Sequence, residues 1–476
     1  MSERARRGLW PAGEFVAATG GRLEGEMAGA VTGVSMDSRT IRPGEAFFAI
    51  AGDRFDGHSF VGDALARGAR VAVVGEGFQG EGVAGALLRV DDPLAAMRAL
   101  AAAARRRSSA RIVALTGSAG KTGSKDALAL ALAPSGKTHA SPASFNNHWG
   151  VPYTLANLAC EARFGVFEMG MNHAGEIAPL SALVRPHVAV VTTIAPVHIG
   201  HLGSLDAIAD AKAEIFTGLE PGGWAVLNRD NEKYERLAGA ARAAGARIVG
   251  FGEHESAEAR LLREVAAGGG VVIEAEILGG AVTYKLAAPG RHLVRNSLAV
   301  LAAARLAGGD LALAALALAD WRPGRGRGEQ SALATGAGDI VLIDESYNAN
   351  PASMRAALSV LAGTQTGARG RRIAALGDML ELGRQAGEEH RALVRPIVGA
   401  GVDLVFACGT LMRDLYQELP PELRGGYAEN AATLTEPLVR ELRAGDVVMV
   451  KGSFATGMAR ISEALRDRYA AGSGGD

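Results

Sequence analysis

The run Ile112-Val-Ala-Leu-Thr116-Gly117-Ser118-Ala119-Gly120-Lys121-Thr122 narrows the possible folds more than any other part of the chain. An apolar strand leads into two glycines, and a lysine and a threonine open a stretch of helical spacing, Lys121–Ala133. A backbone that turns this tightly from strand to helix aims its N–H groups at one point. The partial positive charge of the helix N-terminus makes that point a seat for phosphate. On this reading Gly117, Ser118, Ala119 and Gly120 form the cradle, Lys121 reaches the β- and γ-phosphates, and the Thr122 hydroxyl ligates Mg²⁺. The spacing is shorter than that of the standard P-loop, because Leu115 stands where its first glycine would be.

The same alternation continues around this loop. Strand-like runs at Phe164–Phe167, Val188–Ile194 and Trp224–Leu227 are separated by helical patterns, among them Ser204–Leu219 with Ser204 as its cap. Alternation of this kind predicts a parallel, doubly wound sheet. A helix-like run at Leu293–Leu306 and a Gly/Arg/Pro-rich linker, Arg322–Gly328, close the block. It then begins again, with strands at Ile340–Ile343, Arg372–Leu376, Val402–Phe406 and Val447–Val450 and helices at Pro351–Leu361, Ala386–Val398 and Phe454–Leu465. Before it lies a mixed region with short strands at Val31–Met36, Ala46–Ile50 and Val71–Val74. A helix from Pro93 ends that region in the basic cluster Arg105-Arg106-Arg107. The expected architecture is α/β in three domains, at 1–107, 108–328 and 329–476.

Composition removes several function classes. A formal net charge of -1 gives no reason to expect nucleic acid as a partner. The least charged stretch, Pro186–Leu205, holds three histidines and two prolines and makes a poor membrane span. The amino terminus shows no apolar signal region, and two cysteines, Cys160 and Cys408, fit a reducing cytoplasm.

In open α/β sheets ligands bind beyond the carboxyl ends of the strands. Glu168 ends one strand there, His198 follows another with His201 as a local rival, and Asp344 ends a strand of the last domain. A triphosphate needs hard cations to offset its charge, and carboxylates are the side chains that hold them. Taken singly, Glu168 reads as a solvated strand-end carboxylate, His198 as a loop histidine and Lys212 as a surface lysine on its helix.

Read together, these segments resemble the Mur ligase superfamily, and within it the branch that adds D-alanyl-D-alanine. The resemblance runs through Met36-Asp-Ser-Arg39, Gly52-Asp-Arg-Phe-Asp-Gly-His58, Thr116–Thr122 and Phe145-Asn-Asn-His-Trp-Gly-Val-Pro152. It continues through Glu168-Met-Gly-Met-Asn-His-Ala-Gly-Glu176, Val197-His-Ile-Gly-His-Leu-Gly-Ser204 and Ala211-Lys-Ala-Glu-Ile-Phe216. Asp344-Glu-Ser-Tyr-Asn-Ala-Asn-Pro351, Gly377-Asp-Met-Leu-Glu-Leu-Gly383 and Lys451-Gly-Ser453 complete it, the first two marking the branch. The short glycine loop is the form this superfamily uses.

The resemblance implies a mixed α/β N-terminal domain for the UDP moiety, a central P-loop-type ATPase domain and a C-terminal Rossmann-like domain for the incoming dipeptide. Ser38, Arg39, Asp56, Gly57 and His58 would face the uridine diphosphate, and Asn146 and Asn147 the muramoyl peptide. Asn296 would sit at adenine, although Leu293 replaces a further family asparagine. Arg327, with Arg325 as its rival, would contact phosphate, and Asp344 would belong to the same nucleotide site. Asn348 and Asn350 would lie on the dipeptide side. The implied chemistry is ATP-dependent ligation of a UDP-N-acetylmuramoyl-tripeptide to D-alanyl-D-alanine through an acyl phosphate. Two Mg²⁺ ions would be held by Thr122, Glu168, His198 and a carbamylated Lys212, in a protein working as a monomer with a hinge near each linker. A folylpolyglutamate synthetase, a P-loop kinase or switch, and a nucleotide-binding scaffold are the competing readings.

Overall fold

The computed structural model describes residues 8–52, 55–197, 199–267 and 270–470. Among them stand three sheets that succeed one another along the chain.

The first holds β1 (Arg22–Glu24), β2 (Val34–Ser35), β3 (Ala46–Phe48), β4 (Val71–Gly75) and β5 (Leu87–Val90), in the order β1-β5-β4-β3-β2. Only β1 runs antiparallel to its neighbour. Side chains alternate across a strand, so the adjacent Phe47 and Phe48 enter different cores. Phe47 packs with Ile41, Val61 and Val74. Phe48 joins Phe15, Leu88 and Met97 in a cluster that continues without a break into Leu155, Phe167 and Val191 of the next unit.

The helix Pro93–Arg107 makes that junction. Asp92 caps it, with Pro93 in the first turn, and the sequence reading located both of its ends. Its basic last turn suits the helix dipole, yet the cluster is not a solvated linker. Arg105 is buried and donates to Val184 O and Arg185 O at 2.8 and 2.9 Å, and to Glu220 at 3.0 Å. Trp10 donates its indole N–H to Ala156 O at 3.0 Å, with the Arg107 guanidinium 3.3 Å over its ring. The hinge expected at this first linker is filled by core.

The central sheet has nine strands: β6 (Arg111–Thr116), β7 (Thr138–Ala140), β8 (Phe164–Glu168), β9 (Val188–Val191), β10 (Trp224–Asn228), β11 (Arg247–Gly252), β12 (Ala259–Ala267), β13 (Gly270–Ile277) and β14 (Gly280–Leu286). Their order is β14-β13-β12-β11-β10-β9-β6-β8-β7, parallel from β7 to β12 as the alternation predicts. The antiparallel extension β12-β13-β14 was not expected. Its last hairpin turns at Leu278 and Gly279, both at positive φ (52° and 78°), as a two-residue hairpin turn requires.

The third sheet contains β15 (Glu329–Thr335), β16 (Gly338–Glu345), β17 (Arg372–Gly377), β18 (Leu404–Cys408), β19 (Arg424–Ala428) and β20 (Val447–Lys451), in the order β15-β16-β20-β17-β18-β19. All but β15 run parallel, with helices and a separate core on each face. The run Ala386–Val398, read as one helix, is two: Ala386–Arg391 and Val394–Gly399.

Candidate active site

A cavity of about 500 Å³ lies where the carboxyl ends of the second and third sheets face each other. The central unit lines it with Ser118–Thr122 after β6, Glu168 at the end of β8, and Thr192 and Thr193 after β9. From across it come Glu345, Tyr347 and Asn348 after β16, and Lys451 at the end of β20.

The glycine loop is sutured to the segment beyond β9. Ser118 N donates to Thr193 O at 2.8 Å, the Thr192 hydroxyl donates to Ala119 O at 2.6 Å, and Ser118 Oγ exchanges hydrogen bonds with Ala195 at 3.0 Å. Both glycines are needed. Gly117 and Gly120 sit at φ of 149° and 78°. A Cβ at Gly117 would fall 1.9 Å from Thr192 Oγ1, and one at Gly120 2.4 Å from the Asn296 amide nitrogen. That contact brings Asn296, from the helix Arg291–Leu306, directly onto the loop.

Lys121 opens the next helix and donates to Gly117 O at 2.7 Å. Burial pulls its ammonium pKa down, the Glu168 charge pulls it up, and Arg327 lowers it again. Glu168 is 1% exposed, and its two oxygens accept from Thr122 Oγ1 at 2.7 Å and Asn146 Nδ2 at 2.6 Å. It is therefore not the solvated strand-end carboxylate that its position alone suggests.

Lys212 sits on the helix Leu205–Ala213, capped by Ser204 as expected. It is 1% exposed and has no hydrogen-bond or ion-pair partner among the described residues. Burial first, and the nearby Lys121 charge second, push its pKa well below the ordinary lysine value. A solvent-facing helix lysine is excluded. His198 lies outside the described residues.

Opposite the loop, Arg327 lines the cavity, with its guanidinium 3.9 Å over the Tyr347 ring; Arg325 is not among the lining residues. Asn348 and Asn350 line it too, but Asn350 Oδ1 caps the helix Pro351–Gly363 by accepting from Ser353 N. Asp344 is turned inward. Burial would raise its carboxyl, but hydrogen bonds from Ser346, Arg466 and Ser462 outweigh that and hold it below the usual range. It does not line the cavity. Lys451 does; it is 1% exposed, 3.1 Å from Glu345 and 2.9 Å from Asn348 O, a position to which sequence reasoning gave no contact. The signal was a lysine at the end of a strand, immediately before Gly452.

The remaining expected residues lie outside this cavity. Arg39 is exposed and pairs with Asp37 at 2.7 Å, while Ser38 is buried. Asp56 accepts from His58 N and Nδ1, and His58 Nε2 accepts from Gly75 N at 2.9 Å, tying this turn to β4. Gly57 lies so close to the Ile50 backbone that a Cβ would meet it at 2.7 Å. Asn147 Oδ1 accepts from Trp149 N at 3.2 Å and Gly150 N at 2.9 Å, just ahead of the helix Gly150–Ala156. A Cβ at Gly52 would stand 3.2 Å from Trp149, so Gly52 adjoins the segment that carries Asn146 and Asn147.

Comparison with known proteins decides the family. Residues 30–107 match the model of the Mur ligase family catalytic domain, 115–304 the Mur ligase middle domain, and 327–454 the Mur ligase glutamate ligase domain. The chain belongs to the Mur ligase family. Relatives include the UDP-N-acetylmuramoyl-tripeptide--D-alanyl-D-alanine ligases of Escherichia coli (strain K12), 34% identical over 94% of this chain and 96% of that one, and of Synechocystis, 33% identical over 91% and 92%. Among solved structures, MurF from Acinetobacter baumannii superimposes with a TM-score of 0.82 at 28% identity, covering 96% of this chain and 99% of that one. Like the two sequence relatives, this Mur ligase structure is matched through all three sheets. No helix among the described residues is long and apolar enough to cross a membrane.

Proposed function

We propose that this chain joins D-alanyl-D-alanine to a UDP-N-acetylmuramoyl-tripeptide at the expense of ATP, in the synthesis of peptidoglycan precursors in the cytoplasm. The observation that carries this reading is the cavity between two sets of strand ends, with the phosphate loop on one side and Arg327 and Lys451 on the other. A kinase or nucleotide switch needs the first wall but not the second.

A carboxylate at neutral pH is a poor acyl donor, and phosphorylation cures that. A terminal carboxylate oxygen of the tripeptide attacks the γ-phosphorus, and the bond to the ADP oxygen breaks. The dipeptide amine, as the free base, then attacks the acyl carbon, and phosphate leaves with the bonding pair as the tetrahedral intermediate collapses. Lys121 and the loop amides orient the β- and γ-phosphates, and Asn296 stands beside the loop at the nucleotide. Arg327 adds positive charge from the opposite wall. Most of the acceleration comes from placement and fixed charge.

The donor set suits Mg²⁺. Thr122 Oγ1 and Glu168 Oε2 are hard ligands 2.7 Å apart, and a metal there would neutralise charge on the triphosphate. Lys212 as an ammonium cannot ligate. Its burial and the absence of a partner among the described residues favour the neutral amine, the form that adds CO₂ to become an anionic oxygen donor. We assign His198 to the same metal set on the family resemblance. Ser38, Arg39, Asp56, Gly57 and His58 are assigned to the uridine diphosphate, next to Asn146 and Asn147 for the muramoyl peptide. Asn348 and Asn350 are assigned to the dipeptide. The domain limits we propose are 1–107, 108–328 and 329–476. The working unit is taken as one chain, because both walls of the cavity come from within it.

The test is phosphate release from ATP with substrates omitted in turn. We expect release only when the UDP-muramoyl-tripeptide and the dipeptide are both present. Equal release with either one absent would refute the assignment.

A further inference from the structure

The helix that begins with Lys121 carries a second lysine one turn later, and this one does not face the cavity. Lys125 is 2% exposed. Its ammonium donates to two backbone carbonyls, Ser141 O at 2.7 Å and Ala143 O at 2.8 Å, and pairs with the Asp126 carboxylate at 2.7 Å. These partners turn it toward the loop after β7 rather than toward the cavity.

The loop so held needs holding. It comes directly after the short edge strand β7, and Ala143 stands at a φ of 45°, a left-handed conformation that a residue with a Cβ adopts at a cost. The Ser141 hydroxyl is buried without a partner among the described residues, so the serine side chain does nothing there to fix the turn. The residues just beyond the turn reach the site. Ser144 meets the Tyr347 hydroxyl of the opposite wall at 2.5 Å, and Asn146 donates to Glu168 at 2.6 Å. The Asn146 carbonyl is held from the far side of the turn, accepting from Gly170 N at 2.8 Å.

We propose that Lys125 is a positioning residue: it clamps the backbone of residues 141–143 so that Asn146 is aimed at Glu168 and Ser144 at Tyr347. One helix thus serves both halves of the site, Lys121 for the nucleotide and Lys125 for the loop that presents the acyl-donor side. This rests on the ligase reading.

The experiment compares Lys125→Met, which removes all three donors at similar length, with Lys125→Gln, which can still reach the carbonyls without charge. The glutamine amide is one bond shorter than the lysine, so it keeps a neutral donor at weakened contact. Three quantities are read: kcat/KM for the UDP-muramoyl-tripeptide, ADP affinity, and hydrogen exchange over 141–147 in the ligand-free protein. Misplacement of a reacting group by about 1 Å costs on the order of a hundredfold. Lys125→Met is therefore expected to lower kcat/KM for the UDP substrate by ~10- to 100-fold. The KM for dipeptide and the ADP affinity stay as in the wild type, and exchange rises over 141–147 alone. Lys125→Gln is expected to fall between. Wild-type turnover and exchange in Lys125→Met would overturn the proposal. So would loss of ADP affinity in step with activity, or failure of both variants to fold, since either assigns Lys125 to general structure. The exchange and ADP arms need no turnover, so they decide on the clamp even if the chain proves not to be this ligase.

Discussion

At the scale of single residues, the site is organised by two lysines in opposite circumstances. Lys121 has Glu168 to offset its burial, whereas Lys212, among the described residues, has only the repulsion of Lys121. Lys121→Ala is expected to fold normally, because its helix is held by Leu128, Ala131 and Leu132 in the core, and to lose roughly a hundredfold or more in rate. Steady-state kinetics on the folded variant checks this. Lys212 makes a claim about stability as well. Its folded pKa lies well below the unfolded value, so between the two the unfolded chain binds a proton that the native amine lacks. Stability must then rise with pH across that window, and the lysine is a burden below it. In CO₂-free, metal-free buffer at about pH 7, Lys212→Met should be more stable than the wild type by at least ~1 kcal/mol, with a flatter rise of melting temperature with pH. The same variant should be inactive, with partial recovery of Lys212→Ala by small carboxylates. A less stable Lys212→Met would show that the amine has a partner. Residue identity made Lys121, Thr122 and Glu168 legible in the sequence, but burial did not show. Nothing in Asp344 announces that its carboxylate turns into the core, whereas Asn350 directly before Pro351 has the residue pattern of a helix cap.

At the scale of elements, periodicity worked where a segment is buried on a regular face. Strands β6, β8, β10 and β20 and the helix Pro93–Arg107 lie within a residue of their expected ends. It failed for β12 to β14, a hairpin sheet whose outer strands alternate buried and exposed residues and whose turn depends on Leu278 adopting a positive φ. It failed also at the first linker, where Arg105 reads as surface charge and is a buried clamp. Arg105→Ala leaves Glu220 and two helix-end carbonyls without this donor and is expected to cost ~3 kcal/mol. Because the first and second units share one core, their unfolding should remain a single thermal transition that shifts downward together. Separate transitions for the two, seen by calorimetry, would contradict the shared core.

At the scale of the whole molecule, this core makes the first two units one body, and the third is joined to it through the segment around Arg322–Gly328 and across the cavity. Contacts that cross between them include Ser144 with Tyr347, and Gly200 N with Glu381 O at 3.3 Å, where a Cβ on Gly200 would stand 3.2 Å from Gly383 N. Donor and acceptor recognition should therefore separate by unit. Arg39→Ala is expected to raise KM for the UDP substrate by roughly tenfold or more, as loss of a charged contact does, and to leave that for the dipeptide unchanged. Asn348→Ala should do the reverse, and exchanged phenotypes would overturn the assignment. The proposed reaction turns on one step, phosphorylation of a carboxylate in the cavity between the two sets of strand ends. The direct measurement uses a tripeptide substrate whose terminal carboxylate carries heavy oxygen in both positions. One labelled oxygen is expected in each phosphate released, with the other retained in the new amide. Phosphate free of label, formed alongside ligated product, would contradict that step.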